Sequence, residues 1–357
     1  MSAVTRHAPS GPVTCSRRGS FWVGTETLPT DSGAVPRGPM YVEWEAPAQE
    51  DGGVPWVLVH GGGGQGTDYL TTPDGRLGWA RLLVEHGRTV YVVDRPGHGR
   101  SPYDPDVLGP PAKVMSAEAL APIFQPPAEG PGSNPVSHLH TRWPGGRAPG
   151  DAVFDRWLAA TGPMLADQAA MHALERERIG ELLEIVGPAV VVTHSAGGPG
   201  VFLAADAKPD RVAALIAIET LGPPFAKNPA RGSDLVWGLA AAGPFAFAPP
   251  VATPDELSLL TEQREDYGPV PLTLQADPPR TLENLSRFPI AVMTAESSLF
   301  TMFDRHLVAF LEQAGCDVEL VRFADRGVHG NGHGMMLESN NEEALAVLED
   351  WVEGRLS

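Results

Sequence analysis

The sequence predicts an α/β fold with a mostly parallel central sheet flanked by helices. Three observations point there: short, nearly continuous apolar runs, glycine-terminated helical stretches between them, and a regular alternation of the two from residue 54 onward. Two proline-rich segments interrupt that alternation and predict long insertions.

Residues 1–20 carry Arg6, Arg17 and Arg18 without an apolar stretch, so they read as a flexible tail rather than a signal peptide. A single domain is expected over residues 21–357. Residues 21–30 and 40–46 alternate and hold β-formers, which suggests an opening antiparallel pair. The runs at 54–59, 89–93, 189–193, 213–218 and 290–294 have no polar alternation, the pattern of strands buried on both faces; 318–323 is a further candidate. Helices are expected over about 77–86, 167–186, 303–313 and 342–352, the first three ending close to Gly87, Gly187 and Gly315. Residues 101–150 hold eleven prolines and six glycines, and 221–289 is again proline-rich. Because aromatic residues such as Phe124, Trp143, Trp237 and Phe245 are scattered through both, partly ordered caps at about 101–163 and 221–289 are favoured over linkers.

Composition narrows the function. With 42% hydrophobic and 20% charged residues the chain can bury a large core, and no run is long and apolar enough to span a bilayer. A net charge of −18 argues against nucleic acid, whose binding needs clustered Lys and Arg. Only Cys15 and Cys316 are present, so neither a disulfide framework nor a cysteine-rich metal site can form, although one bridge could. A cytoplasmic enzyme is expected, with secretion from a longer precursor as the alternative; assembly as a homodimer stays open.

Chemistry concentrates at three places. Thr193-His194-Ser195-Ala196-Gly197 joins an apolar strand to a glycine-rich helix start, the context of a nucleophile elbow, where small flanking residues let a serine hydroxyl stand clear of the sheet. A plain helix N-cap is the competing reading of Ser195. His60-Gly61-Gly62-Gly63-Gly64 follows the strand at 54–59 and could bring backbone N–H groups close to a developing oxyanion. A phosphate loop would need a following Lys-Ser/Thr that is absent, and Asp94 alone keeps a dinucleotide reading open. Gly327 to Met335 is a late glycine-rich loop carrying His333, with His329 as its rival for the role of general base. A metal site at this histidine pair lacks a cysteine or carboxylate cluster to complete it.

Nucleophile, acid and histidine in that chain order resemble the α/β-hydrolase superfamily, and within it bacterial carboxylesterases with a Ser-Glu-His triad. The likeness rests on residues 71–79 (TTPDGRLGW), 91–101 (YVVDRPGHGRS), 194–197 (HSAG), 216–220 (IAIET) and 328–340 (VHGNGHGMMLESN), and runs from about residue 40 to the C-terminus. It departs at Gly62 and Gly63, where a member of that group has adjacent cysteines. The resemblance implies an α/β-hydrolase fold, Ser195 as nucleophile, His333 as base and Glu219, after the sixth strand, as acid. Glu296, after the next strand, is the alternative acid. The oxyanion donors would be Ala196 and the Gly61–Gly62 turn. The implied substrate is a small-molecule carboxylic ester, with no cofactor or metal needed. A lactone or thioester substrate, or a ligand-binding protein that has lost turnover, are the rival readings.

Overall fold

The computed structural model describes residues 15–357 apart from 32, 50–51, 131, 133, 148–149 and 228–233. Its eight main strands are β1 (Ser16–Val23), β2 (Met40–Pro47), β3 (Trp56–Val59), β4 (Val90–Asp94), β5 (Ala189–His194), β6 (Val212–Ile218), β7 (Ile290–Thr294) and β8 (Val318–Arg322). They lie in the order β1-β2-β4-β3-β5-β6-β7-β8. The first two strands run antiparallel to their neighbours and the rest are parallel. Every residue of β3, β5 and β7 is buried, as expected of continuous apolar runs covered on both faces.

The opening strand corrects the expected tail. Ser16–Ser20 belong to β1, whose residues pair one for one with β2 from Ser16 opposite Pro47 to Val23 opposite Met40, so the domain reaches back before residue 21. Residues 1–14 lie outside the described part. The strand expected over 21–30 is split: Thr27–Thr30 instead forms a small ribbon with Gly33–Pro36.

Among the described residues, seven helices longer than one turn complete the frame: α1 (Trp79–Glu85), α2 (Ala117–Phe124), α3 (Ala152–Leu158), α4 (Gln168–Val186), α5 (Gly198–Ala207), α6 (Asp304–Gln313) and α7 (Asn341–Leu356). Asp167 caps α4 by accepting from Ala170 N–H, and Gly187 ends it with a positive φ. Leu182 of α4, Phe202 of α5 and Phe310 of α6 pack in one core cluster, whereas Trp79 of α1 and Leu345 of α7 belong to a second.

The two insertions behave differently. In the first, α2 and α3 bury Phe124, Phe154 and Trp157 together with Met335 and Leu337 of the late loop, forming a cap. The second was expected to be a cap as well, but its large apolar side chains join the core: Trp237, Phe245, Phe247, Leu282 and Leu285 pack with α4, α5 and α6. Its aromatic residues mark it as core because they bury large apolar areas there, and two short ribbons, Phe247–Ala248 with Thr281–Leu282 and Leu259–Glu262 with Leu272–Gln275, tie its backbone.

Candidate active site

The chain leaves β5 through a tight turn. Ser195 has φ +52°, a left-handed conformation that is costly for a residue with a β-carbon and is held by its surroundings. The turn is crowded: a β-carbon at Gly197 would collide with the carbonyl of His60, which is why a small residue stands two positions after the serine. Thr193, the departure from glycine two positions before, is fully buried and is tolerated there.

Ser195 Oγ lies 3.1 Å from Nε2 of His333, and Nδ1 of the same ring lies 2.5 Å from Oε2 of Glu219. Glu219 leaves β6 with φ +46°, again left-handed, and that turn aims its side chain back over the sheet. Its carboxylate also accepts from Ala295 N–H and from the Ser298 hydroxyl, both at 2.8 Å. Burial pushes this carboxyl up to about 8, against the pull of those two donors, with Glu338 and Asp304 adding to the rise. The contact of Nδ1 with this carboxyl fixes the ring with Nε2 facing the serine. Phe300 stacks on the His333 ring, with centroids 4.8 Å apart and planes 4° from parallel.

Glu296 is elsewhere. It accepts from Gly330 N–H at 2.8 Å and meets His329 Nδ1 at 3.0 Å, so the alternative acid and the alternative base pair with each other away from Ser195. Asp94 accepts from the backbone N–H of Gly66 and Arg100 at 2.6 and 2.7 Å, which makes it a tie between two loops rather than a ribose acceptor. Cys15 is exposed and Cys316 buried, both as free thiols, so the single bridge that composition allowed is not formed.

The family model of the alpha/beta hydrolase fold matches residues 55–249, more than half of the chain and a stretch that includes Ser195 and Glu219. The chain belongs to the α/β-hydrolase family. A relative from a fungal species (strain ATCC 74256), named "Probable secreted lipase phiG", is 35% identical over 318 residues, covering 88% of this chain and 85% of its own. The solved structure of a novel bacterial esterase superposes with a TM-score of 0.66 at 21% identity, over 98% of this chain and 99% of its own, a likeness of fold. These two proteins are named a lipase and an esterase, and the chain shares the α/β-hydrolase fold with them. The expected cytoplasmic location gains no support, since the fungal relative is named a secreted protein. Among the described residues no helix is long and apolar enough to cross a membrane.

In this α/β-hydrolase the glycine loop after β3 lies against the elbow. A β-carbon at Gly61 would come within 2.8 Å of the His194 ring, and one at Gly62 within 2.9 Å of Met164 Sδ and 3.1 Å of the Ala196 β-carbon. The approach that brings Gly61, Gly62 and Ala196 together thus demands glycine in the loop. Beneath it sits Arg95, fully buried: Nη2 donates to Gly61 O at 2.8 Å, Nη1 donates to Ala196 O at 3.2 Å and pairs with Glu175 Oε1 at 2.6 Å. The carbonyl of Gly61 and the N–H of Gly62 share one trans peptide plane and point in opposite directions. Arg95 and His60 Nδ1, both at 2.8 Å, hold that carbonyl from one side and leave the Gly62 N–H on the other side of the plane. Around the guanidinium, His60 and His98 are neutral, pushed well below the usual imidazole value by burial and then by Arg95 itself.

A cavity of about 250 Å³ opens above Ser195, walled by α2, by Trp157 of α3, by Met164 and by Leu299 and Phe300. Of the described residues of the second insertion only the opening ones, Leu221 and Gly222, reach this cavity. His194, Glu219 and His333 offer ligand atoms within 4.8 Å of one another, the spacing of a metal cluster. The same atoms are engaged otherwise: His194 Nε2 donates to the His333 carbonyl at 2.8 Å, and His333 Nδ1 meets Glu219. Arg95 and His194 escaped the sequence reading, although Arg95 stands in the quoted DRPGHG stretch and His194 beside the elbow serine; Ser298, which reads as a capping residue beside Glu296, does accept from Phe300 N–H, and its hydroxyl also donates to Glu219.

Proposed function

We propose that this hydrolase is a serine esterase that cleaves a carboxylic ester through an acyl-enzyme. The observation that carries the reading is the unbroken chain Ser195 Oγ to His333 to Glu219, at 3.1 and 2.5 Å, opening into an apolar cavity. His333 Nε2 takes the hydroxyl proton as Ser195 attacks the ester carbonyl. The oxygen gains a full negative charge in the tetrahedral intermediate, which the N–H groups of Gly62 and Ala196 would receive. His333 then passes its proton to the leaving alcohol, which departs and leaves the acyl group on Ser195. Water, deprotonated by the same ring, attacks the acyl carbonyl, and collapse of the second intermediate returns the proton to Ser195 and frees the acid. Glu219 holds the ring tautomer and stabilises the imidazolium formed in each half. Loss of one oxyanion donor in such a site costs roughly 3–4 kcal/mol of transition-state stabilisation.

The protein should hydrolyse short-chain aryl esters and be labelled at Ser195 by a fluorophosphonate, located by peptide mass mapping. Ser195→Ala should remove both while leaving the thermal unfolding curve in place. Undiminished turnover in Ser195→Ala would sink the reading.

A further inference from the structure

Asp68 is a carboxylic acid in the active-site cavity that the proposed acyl transfer leaves without a task. The cavity is otherwise apolar: among the described residues lining it, Asp68 is the one ionisable side chain besides Ser195, His333 and His194. It lies in the one-turn helix Thr67–Leu70 directly after the glycine loop, half-buried, with a carboxyl oxygen in the space that a β-carbon on Gly64 would fill. Gly64 and Trp157 line the same cavity on either side of it. Burial pushes the Asp68 carboxyl up to about 7, against the pull of the Gln65 backbone N–H and the Trp157 side chain, and Asp94 adds to the rise. A carboxylate can accept about four hydrogen bonds. Cavities of this kind bind through apolar area and use a few placed polar groups to fix orientation.

We propose that Asp68 is a specificity-determining residue that accepts a hydrogen bond from a hydroxyl group on the substrate, so that the preferred ester carries a hydroxyl on its acyl or alcohol part. This rests on the esterase reading of Ser195. A hydroxyl suits the site better than an ammonium, because an apolar cavity of about 250 Å³ strips a charge of its hydration while a single hydroxyl needs only one acceptor. An ester without that hydroxyl leaves a desolvated carboxyl with unmet capacity, and this is the situation in which hydrolases discriminate most sharply.

The test compares matched pairs on the full chain by pH-stat: ethyl butyrate with ethyl 2- and 3-hydroxybutyrate, and propyl butyrate with 2- and 3-hydroxypropyl butyrate. At least one hydroxylated ester should exceed its parent in kcat/KM by roughly tenfold or more. Asp68→Leu should bring that ratio to one or below, and Asp68→Asn, which keeps an acceptor and the shape, should retain part of it. A carboxyl that merely fastens the Gln65 turn to Trp157 would change the melting temperature and the rates of both esters together, leaving the ratio alone, and that result overturns the proposal. So does a wild-type ratio at or below one in every pair, or a stronger preference for ethyl 3-aminobutyrate. Should Ser195 fail to take a fluorophosphonate in the wild type, the esterase reading itself falls and takes this proposal with it. Labelling without hydroxyl preference removes this proposal alone.

Discussion

Glu219 and Glu296 each stand just past the end of a parallel strand, yet the backbone treats them differently. Glu219 turns through a left-handed φ at the end of β6 and reaches His333, while Glu296 points to the outer part of the loop and meets His329. Replacing Glu219 with Gln keeps the shape, removes the charge that stabilises the imidazolium and permits the wrong ring tautomer. Turnover of an aryl ester should therefore fall at least about a hundredfold, by analogy with the roughly ten-thousandfold loss known for the aspartate of a serine triad. Glu296→Gln should cost far less, and steady-state kinetics on both variants, with the reverse ranking as the contrary result, decide between them. The residue types and their chain order were readable in the sequence. The choice of Glu219 over Glu296 came from the resemblance of residues 216–220 and not from position past a strand, because the difference depends on one φ angle and on donors from Ala295 and Ser298, about eighty residues away in the chain.

The loop after β3, the turn after β4 and the elbow after β5 meet at one guanidinium. Arg95 holds the carbonyls of Gly61 and Ala196, and Glu175 of α4 balances its charge. Arg95→Met should destabilise the fold by about 3–5 kcal/mol, since it strands a buried carboxylate. Changing both, Arg95→Met with Glu175→Leu, should regain most of that stability, because an apolar pair can replace a buried ion pair at little cost. Turnover should stay depressed by at least about tenfold in the double variant, since only His60 Nδ1, at 2.8 Å, then holds the Gly61 carbonyl. Thermal unfolding and kcat on the single and double variants separate the two effects; recovery of both together would show that Arg95 serves stability alone. Strands and long helices were legible because their apolar periodicity is local. The Arg95 cluster was not, because three loops distant in sequence have to converge before a buried charge makes sense there.

For the molecule as a whole, buried carboxyls set how stability responds to pH. Asp206, in the last turn of α5, accepts from Ala246 N–H at 2.9 Å, while its other oxygen is buried without a hydrogen-bond partner among the described residues. Burial pushes this carboxyl up to about 6, above the value of about 3.9 in an unfolded chain. The folded state thus favours the protonated form. The resulting stabilisation is complete below about pH 3.9 and is lost as pH rises through about 6, a change of about 3 kcal/mol at most. Asp206→Asn, which cannot ionise, should gain on the wild type as pH goes from 4.5 to 7.5 in urea unfolding, and a gap constant with pH would count against this account. The two proline-rich insertions looked alike as sequence, since proline and scattered aromatics occur in both; what separates them is the surface each covers, which only the folded chain reveals. The first walls the cavity above Ser195 and the second fills the core against α4, α5 and α6. The stretch between Met115 and Met164 therefore lines the cavity and at the same time packs with Trp79 and Leu345, so that a graft exchanging it must carry Phe124, Phe154 and Trp157 along as fixed anchors while its other residues are varied.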